Sequence, residues 1–189
     1  MFAHLRPAIV LLALFVALTG IAYPLAMTGV AQIALPGQAN GTLIERNGTV
    51  IGSGRIGQPF TSDRYFQPRP SATGGAPYNA ANSSGSNLGP TSQKLADRVK
   101  DDASSLKKEY GLTTVPVDAA TASASGLDPH ISPDYALLQL ATVAKARGLP
   151  EERVRALVEG RIERRLLGFI GEPRVNVLRL NLALDTLQP

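Results

Sequence analysis

The sequence predicts an α+β protein: a single N-terminal transmembrane helix followed by one loop-rich exterior α+β domain with a few strands and three helices. Three observations carry this. No charged residue stands between Arg6 and Glu45. Beyond that gap, apolar residues recur at helical spacing in three stretches, with strand-like runs before and after them. Gly and Pro number 18 and 14, so turns are frequent and many are obligatory.

The apolar segment comes first. Ala8 to Leu18 is unbroken, and residues 7–33 exceed the roughly 20 apolar residues a membrane span needs. Pro7 suits a helix start and Pro36-Gly37 a stop, while Pro24 lies inside and predicts a kink. A cleaved signal peptide is the competing reading, but its apolar core usually runs only about 7–15 residues. Arg6 and the N-terminal amine mark one flank as the cytoplasmic one, because the other stays neutral as far as Glu45. The expected division is therefore a cytoplasmic N-terminus at 1–6, a transmembrane helix at 7–33 and a soluble, periplasmic domain at 34–189. Ala13/Ala17 and Ala22/Ala26 place small residues four apart, a spacing that lets helices approach closely in lipid.

Residues 42–57 read as a hairpin, with Asn47-Gly48 between Thr42-Leu43-Ile44 and Thr49-Val50-Ile51. Residues 58–91 are rich in Pro, Gly, Ser and Asn, yet carry Phe60, Tyr65, Phe66 and Tyr78. Those aromatics predict an ordered loop and a docking surface at 65–90. A helix follows with Leu95, Val99, Leu106 and Tyr110 on one face and Gly111 as its cap. Val115-Pro116-Val117 reads as an edge strand. Ser132-Pro133-Asp134 opens a second helix, with Leu137, Leu138, Ala141 and Ala144 inward and Gly148 at its end. Pro150-Glu151-Glu152 opens a third, with Val154, Leu157 and Val158 inward. Alternation from Arg174 to Leu182 reads as a strand.

Composition excludes several functions. Without Cys there is no disulfide, thiolate metal site or Cys nucleophile, and two His make no His-rich metal site. The 19 basic and 15 acidic residues form no basic block, so no nucleic-acid partner is expected. No Gly-rich phosphate loop is present. Ser104-x-x-Lys107 and Ser105-x-x-Lys108 have a Ser–Lys spacing, which leaves an anchored exterior hydrolase as one alternative; signal cleavage of the N-terminal segment leaves a secreted binding protein as another. Asp128 two residues before His130 reads either as a proton-transfer pair or as a polar turn.

Four segments together carry a resemblance: Tyr65-Phe66-Gln67-Pro68-Arg69-Pro70-Ser71-Ala72, Ser84-Gly85-Ser86-Asn87-Leu88-Gly89-Pro90, Ser123 to Ser132 through Gly126-Leu127-Asp128-Pro129-His130, and Gly171-Glu172-Pro173-Arg174-Val175-Asn176-Val177 with Leu180 to Asp185. With Leu5-Arg6-Pro7-Ala8 before the lone span, the chain resembles the C subunits of the Kdp potassium-transporting P-type ATPases, over nearly its whole length. The resemblance implies a non-catalytic accessory subunit of the bacterial inner membrane. Its implied partners are a channel-like potassium-binding subunit, an ATP-hydrolysing subunit and a small stabilising subunit, besides membrane lipid. It also implies a catalytic chaperone that raises ATP affinity of the hydrolysing subunit, with no cofactor of its own but ATP shared through Gln139. Tyr65, Phe66, Arg69, Asn87, Asp128 and His130 are the expected partner-docking residues.

Overall fold

The computed structural model describes residues 2–187, and the chain divides into one unit ending at Ile51 and another starting at Gly52.

In the first unit, Leu5–Ala34 is a continuous helix of 30 residues, long and apolar enough to cross a membrane. At 1.5 Å per residue it spans about 45 Å, against about 30 Å of hydrocarbon. It consists of α1 (Leu5–Phe15), a π-helical stretch (Val16–Ala22) and α2 (Tyr23–Ala34). Pro24 explains the π stretch. In an α register its ring would crowd the Gly20 carbonyl, and it has no N–H to donate there. Instead the Tyr23 N–H reaches five residues back to the Leu18 carbonyl, and the Thr19 hydroxyl donates to the Phe15 carbonyl at 2.7 Å. The disturbance expected at Pro24 thus appears as a wider helical turn before it. Pro36 starts a short helix, α3 (Pro36–Ala39). Strands β1 (Leu43–Arg46) and β2 (Thr49–Ser53) then pair around Asn47 and Gly48, whose φ values of 52° and 77° suit the expected two-residue hairpin turn.

The second unit packs helices against a small antiparallel sheet. Helix α4 (Gln93–Tyr110) ends at Gly111 in the left-handed conformation, as expected, with Leu95, Val99, Leu106 and Tyr110 half-buried. Where an edge strand was expected there is a helical turn, α5 (Val117–Ala120). Pro116 at φ −57° precedes it and Asp118 lies in its first turn, both favourable to a helix start, while Val117 points to solvent. Strand β3 (His130–Ile131) leads into α6 (Pro133–Arg147), capped by the Ser132 hydroxyl, which accepts from the Tyr135 N–H at 3.0 Å. Asp118 steadies that cap, its carboxylate accepting both the Ser132 N–H and hydroxyl.

Helix α6 is rotated relative to the sequence expectation. Tyr135, Ala136, Gln139, Leu140, Val143 and Ala144 face inward, Leu137 and Leu138 are half-buried, and Ala141 is exposed. The run Ala136-Leu137-Leu138 is apolar on every side, so periodicity did not select a face. Helix α7 (Glu151–Glu159) buries Val154 and Val158 as predicted. Strands β4 (Ile162–Glu163) and β5 (Arg174–Asn176) complete a sheet of order β3-β5-β4, with Ile131 and Ile162 both opposite Val175.

The predicted C-terminal strand survives only as β5. Asn176 ends it by turning its carboxamide oxygen to the Arg179 N–H at 3.1 Å, which starts α8 (Val177–Leu184). Val177, Leu180, Asn181 and Leu184 share the buried face of α8, a spacing of three and four that alternation had masked. Phe66, Ile131, Leu140, Val154, Val175 and Leu180 form the centre of the core.

Candidate functional site

The segment beginning at Tyr65 runs through the interior with almost no backbone partner of its own. In an extended chain, consecutive residues turn their N–H and C=O groups to opposite sides. Two carboxamides meet those groups. Asn181 on α8 accepts from the Phe66 N–H at 2.9 Å and donates to the Phe66 carbonyl at 3.0 Å. Gln139 on α6 does the same for Gln67, accepting at 2.5 Å and donating at 3.1 Å, with a second donation to the Tyr135 carbonyl at 3.3 Å. Each amide thus replaces a neighbouring strand.

Three of the expected site residues lie in or beside this arrangement. Phe66 is fully buried in the core and presents nothing to a partner. Tyr65 is half-buried; the Arg147 guanidinium lies 4.7 Å from its ring centroid, and Arg147 also binds Asp185 at 2.8 Å. Gln139 is buried, and its oxygen and amide hydrogens are engaged by backbone. The cavity beside it, about 210 Å³, is edged by Asp63 and Glu109, carboxylates that would repel a triphosphate. Burial and the adjacent Glu109 push the Tyr110 hydroxyl in that wall up to about 12.

A second cluster joins Arg69, Asp128 and His130, as the sequence placed them. Arg69 donates to Asp128 at 2.9 Å and reaches the Thr121 carbonyl at 3.3 Å. The other Asp128 oxygen accepts from the His130 N–H at 3.0 Å and lies 3.5 Å from its Nδ1. His130 Nε2 is 3.9 Å from Glu163, which Arg174 contacts at 3.0 Å. Arg69, Thr121, Asp128, His130 and Arg174 line a cleft of about 470 Å³ that also holds Asp118 and Glu172. Burial alone would raise the Asp128 carboxyl, but hydrogen bonds from His130 and Arg69 outweigh it and hold the carboxyl below its ordinary range.

A depressed carboxyl stabilises the fold above its unfolded pKa of about 3.9, and that contribution is lost as pH falls through the folded value. Acid unfolding monitored by circular dichroism below about pH 4 should therefore lose part of its steepness in Asp128→Asn. At pH 7 the same variant should be less stable by about 1–3 kcal/mol, since Arg69 keeps its burial but loses its charge partner. An unchanged acid limb would show that Asp128 does not carry this linkage.

The quoted motifs meet one another. Ser71 donates to the Gly126 carbonyl at 2.8 Å and accepts from the Tyr78 N–H at 2.9 Å, while the Tyr78 hydroxyl donates to the Arg69 carbonyl at 2.6 Å. Burial raises that hydroxyl well above its ordinary value. Gly126, at φ 66°, lies so close to Ser84 that a Cβ there would stand 2.8 Å from its carbonyl oxygen. These bonds tie residues 69–78 of the loop to one another and to the turn at Gly126. Asn87 is exposed at φ 52°, and none of the contacts above includes it. Ser104, Ser105, Lys107 and Lys108 all face solvent on α4. Among the described residues no cluster of three or more His, Asp or Glu is placed to hold a metal ion. Asn181, Asp118, Arg147 and Glu163 escaped the sequence reading; a lone Asn on the apolar face of a helix was the available signal for Asn181.

The geometry defines a module whose singular side chains hold loops together, preceded in the sequence by a helix able to span a membrane. The family model for the K+-transporting ATPase c chain, KdpC, matches residues 5–186. Potassium-transporting ATPase KdpC subunits are similar along the whole chain. That of Rhodopseudomonas palustris strain BisB18 is 60% identical over 196 residues, covering 98% of both chains. That of Bradyrhizobium diazoefficiens is 59% identical with the same coverage, and that of Rhodopseudomonas palustris strain CGA009 is 54% identical over the full length of both. The chain belongs to the KdpC family: it is a subunit of a potassium-transporting ATPase and not by itself the enzyme.

Proposed function

We propose that this chain is the anchored accessory subunit that stabilises a high-affinity, ATP-driven potassium uptake complex. It does so through a span at Leu5–Ala34 and a second unit outside the cytoplasm. The partners in this reading are the channel-like, ATP-hydrolysing and small stabilising subunits. Arg6 on one flank of the span, with a neutral opposite flank, supports that orientation. The observation that carries the reading is full-length family membership together with an apolar helix that buries nothing within the chain.

In this reading the chain raises the ATP affinity of the hydrolysing subunit through assembly, with the nucleotide held by that subunit. The committed amide of Gln139 and the carboxylates beside it support this over a direct side-chain grip. Reconstitution without this chain should reduce recovered complex and potassium-stimulated ATPase and raise the KM for ATP. Unchanged assembly, activity and KM would overturn the proposal.

A further inference from the structure

The connection between β4 and β5 is built as a projecting finger. Leu166 and Ile170 pair across it, each N–H donating to the other's carbonyl, at 2.9 and 3.0 Å. Leu167 and Gly168 form the tip at φ 54° and 83°. Positive φ is unfavourable for a bulky residue, so the hairpin holds a leucine where Gly or Asn would sit without strain. What this displays is apolar: Leu167 and Phe169 are 77% and 71% exposed, Leu166 66% and Ile170 48%. Four large apolar side chains are thus exposed within five residues on one hairpin tip, unlike scattered surface leucines.

The base of the finger carries both signs. Arg165 pairs with Glu172 at 2.8 Å and Arg174 with Glu163 at 3.0 Å, while Arg161 and Arg164 are exposed nearby. This mixture decides the kind of surface it fits. A finger meant for anionic lipid would carry one sign, because phosphate headgroups repel carboxylates, and the Glu172 side chain is 81% exposed. Apolar and aromatic tips ringed by Arg, without Lys, have the composition of protein interface centres. A preformed tip also lowers the ordering cost of docking.

We infer that residues 164–171 insert into an apolar groove, edged by charges of both signs, on another subunit of the same pump. This rests on the proposed accessory role. Leu167→Asn with Phe169→Ser tests it, since Asn accepts the left-handed tip and the hairpin bonds are backbone bonds. Partner subunits co-purified from detergent with the full-length double variant should fall roughly tenfold, a typical hot-spot effect. Phe169→Leu should retain them. A photo-reactive benzophenone side chain at position 169 of the intact membrane-embedded complex should form an adduct with a protein subunit. Wild-type co-purification by the double variant, an adduct with lipid, or no adduct would each overturn the inference. If removing the whole chain leaves assembly unchanged, the accessory role itself fails; if only the finger variant is silent, that role stands and the finger does not.

Discussion

Phe66→Ala is expected to destabilise the second unit by about 3–5 kcal/mol, the cost of emptying a fully buried aromatic site. Urea unfolding of the full-length chain in detergent, followed by near-ultraviolet circular dichroism, would measure it. The distinction matters because a docking residue behaves differently. Truncating a surface contact weakens assembly while leaving the separate chain's unfolding midpoint in place. Phe66 should shift that midpoint first and lose assembly only as a consequence. An unaltered midpoint with weakened assembly would return Phe66 to the surface, against its position in the core.

Removing either carboxamide should have an effect nearly as large. Asn181→Ala leaves the buried N–H and C=O of Phe66 unpaired and Gln139→Ala the half-buried ones of Gln67, at about 2–4 kcal/mol for each variant. The two amides hold consecutive residues from opposite sides, so their losses should not add. Once one side is released the segment loosens, and the double variant should cost less than the sum. A thermal-melt double-mutant cycle gives this directly. In complex that still assembles, Gln139→Ala should leave the KM for ATP unchanged. A raised KM in fully assembled complex would mean that Gln139 contacts nucleotide.

How legible this was depended on whether the signal was local. Caps such as Ser132 and Gly111, the Asn47-Gly48 turn and the acidic opening of α7 were readable because each acts within a few residues of itself. Arg69, set between two prolines, binds Asp128 and Thr121 within its own chain. Misreadings arose where two periods fit the same residues. From Arg174 to Leu182 alternation and helical spacing both hold, and Asn176 decides for the helix by capping it. The burial of Phe66 was hidden for another reason: its backbone groups are met by the side chain of Asn181, 115 positions away, on an element read as a strand. A motif rich in Pro, Arg and aromatics looks the same whether it meets another protein or its own core.

The π-helical stretch before Pro24 has a consequence for how the span meets its neighbours. A five-residue hydrogen-bond register turns through a smaller angle per residue than an α register, so each residue from Val16 to Ala22 falls behind the regular rotation. Ala13 and Ala26 therefore do not look the way a continuous α-helix would make them look. The Ala13/Ala17 and Ala22/Ala26 pairs become two short facets aimed in different directions. A single straight helix laid alongside can follow one of these facets but not both. The span thereby presents two separately aimed faces of small residues, one in its first half and one in its second.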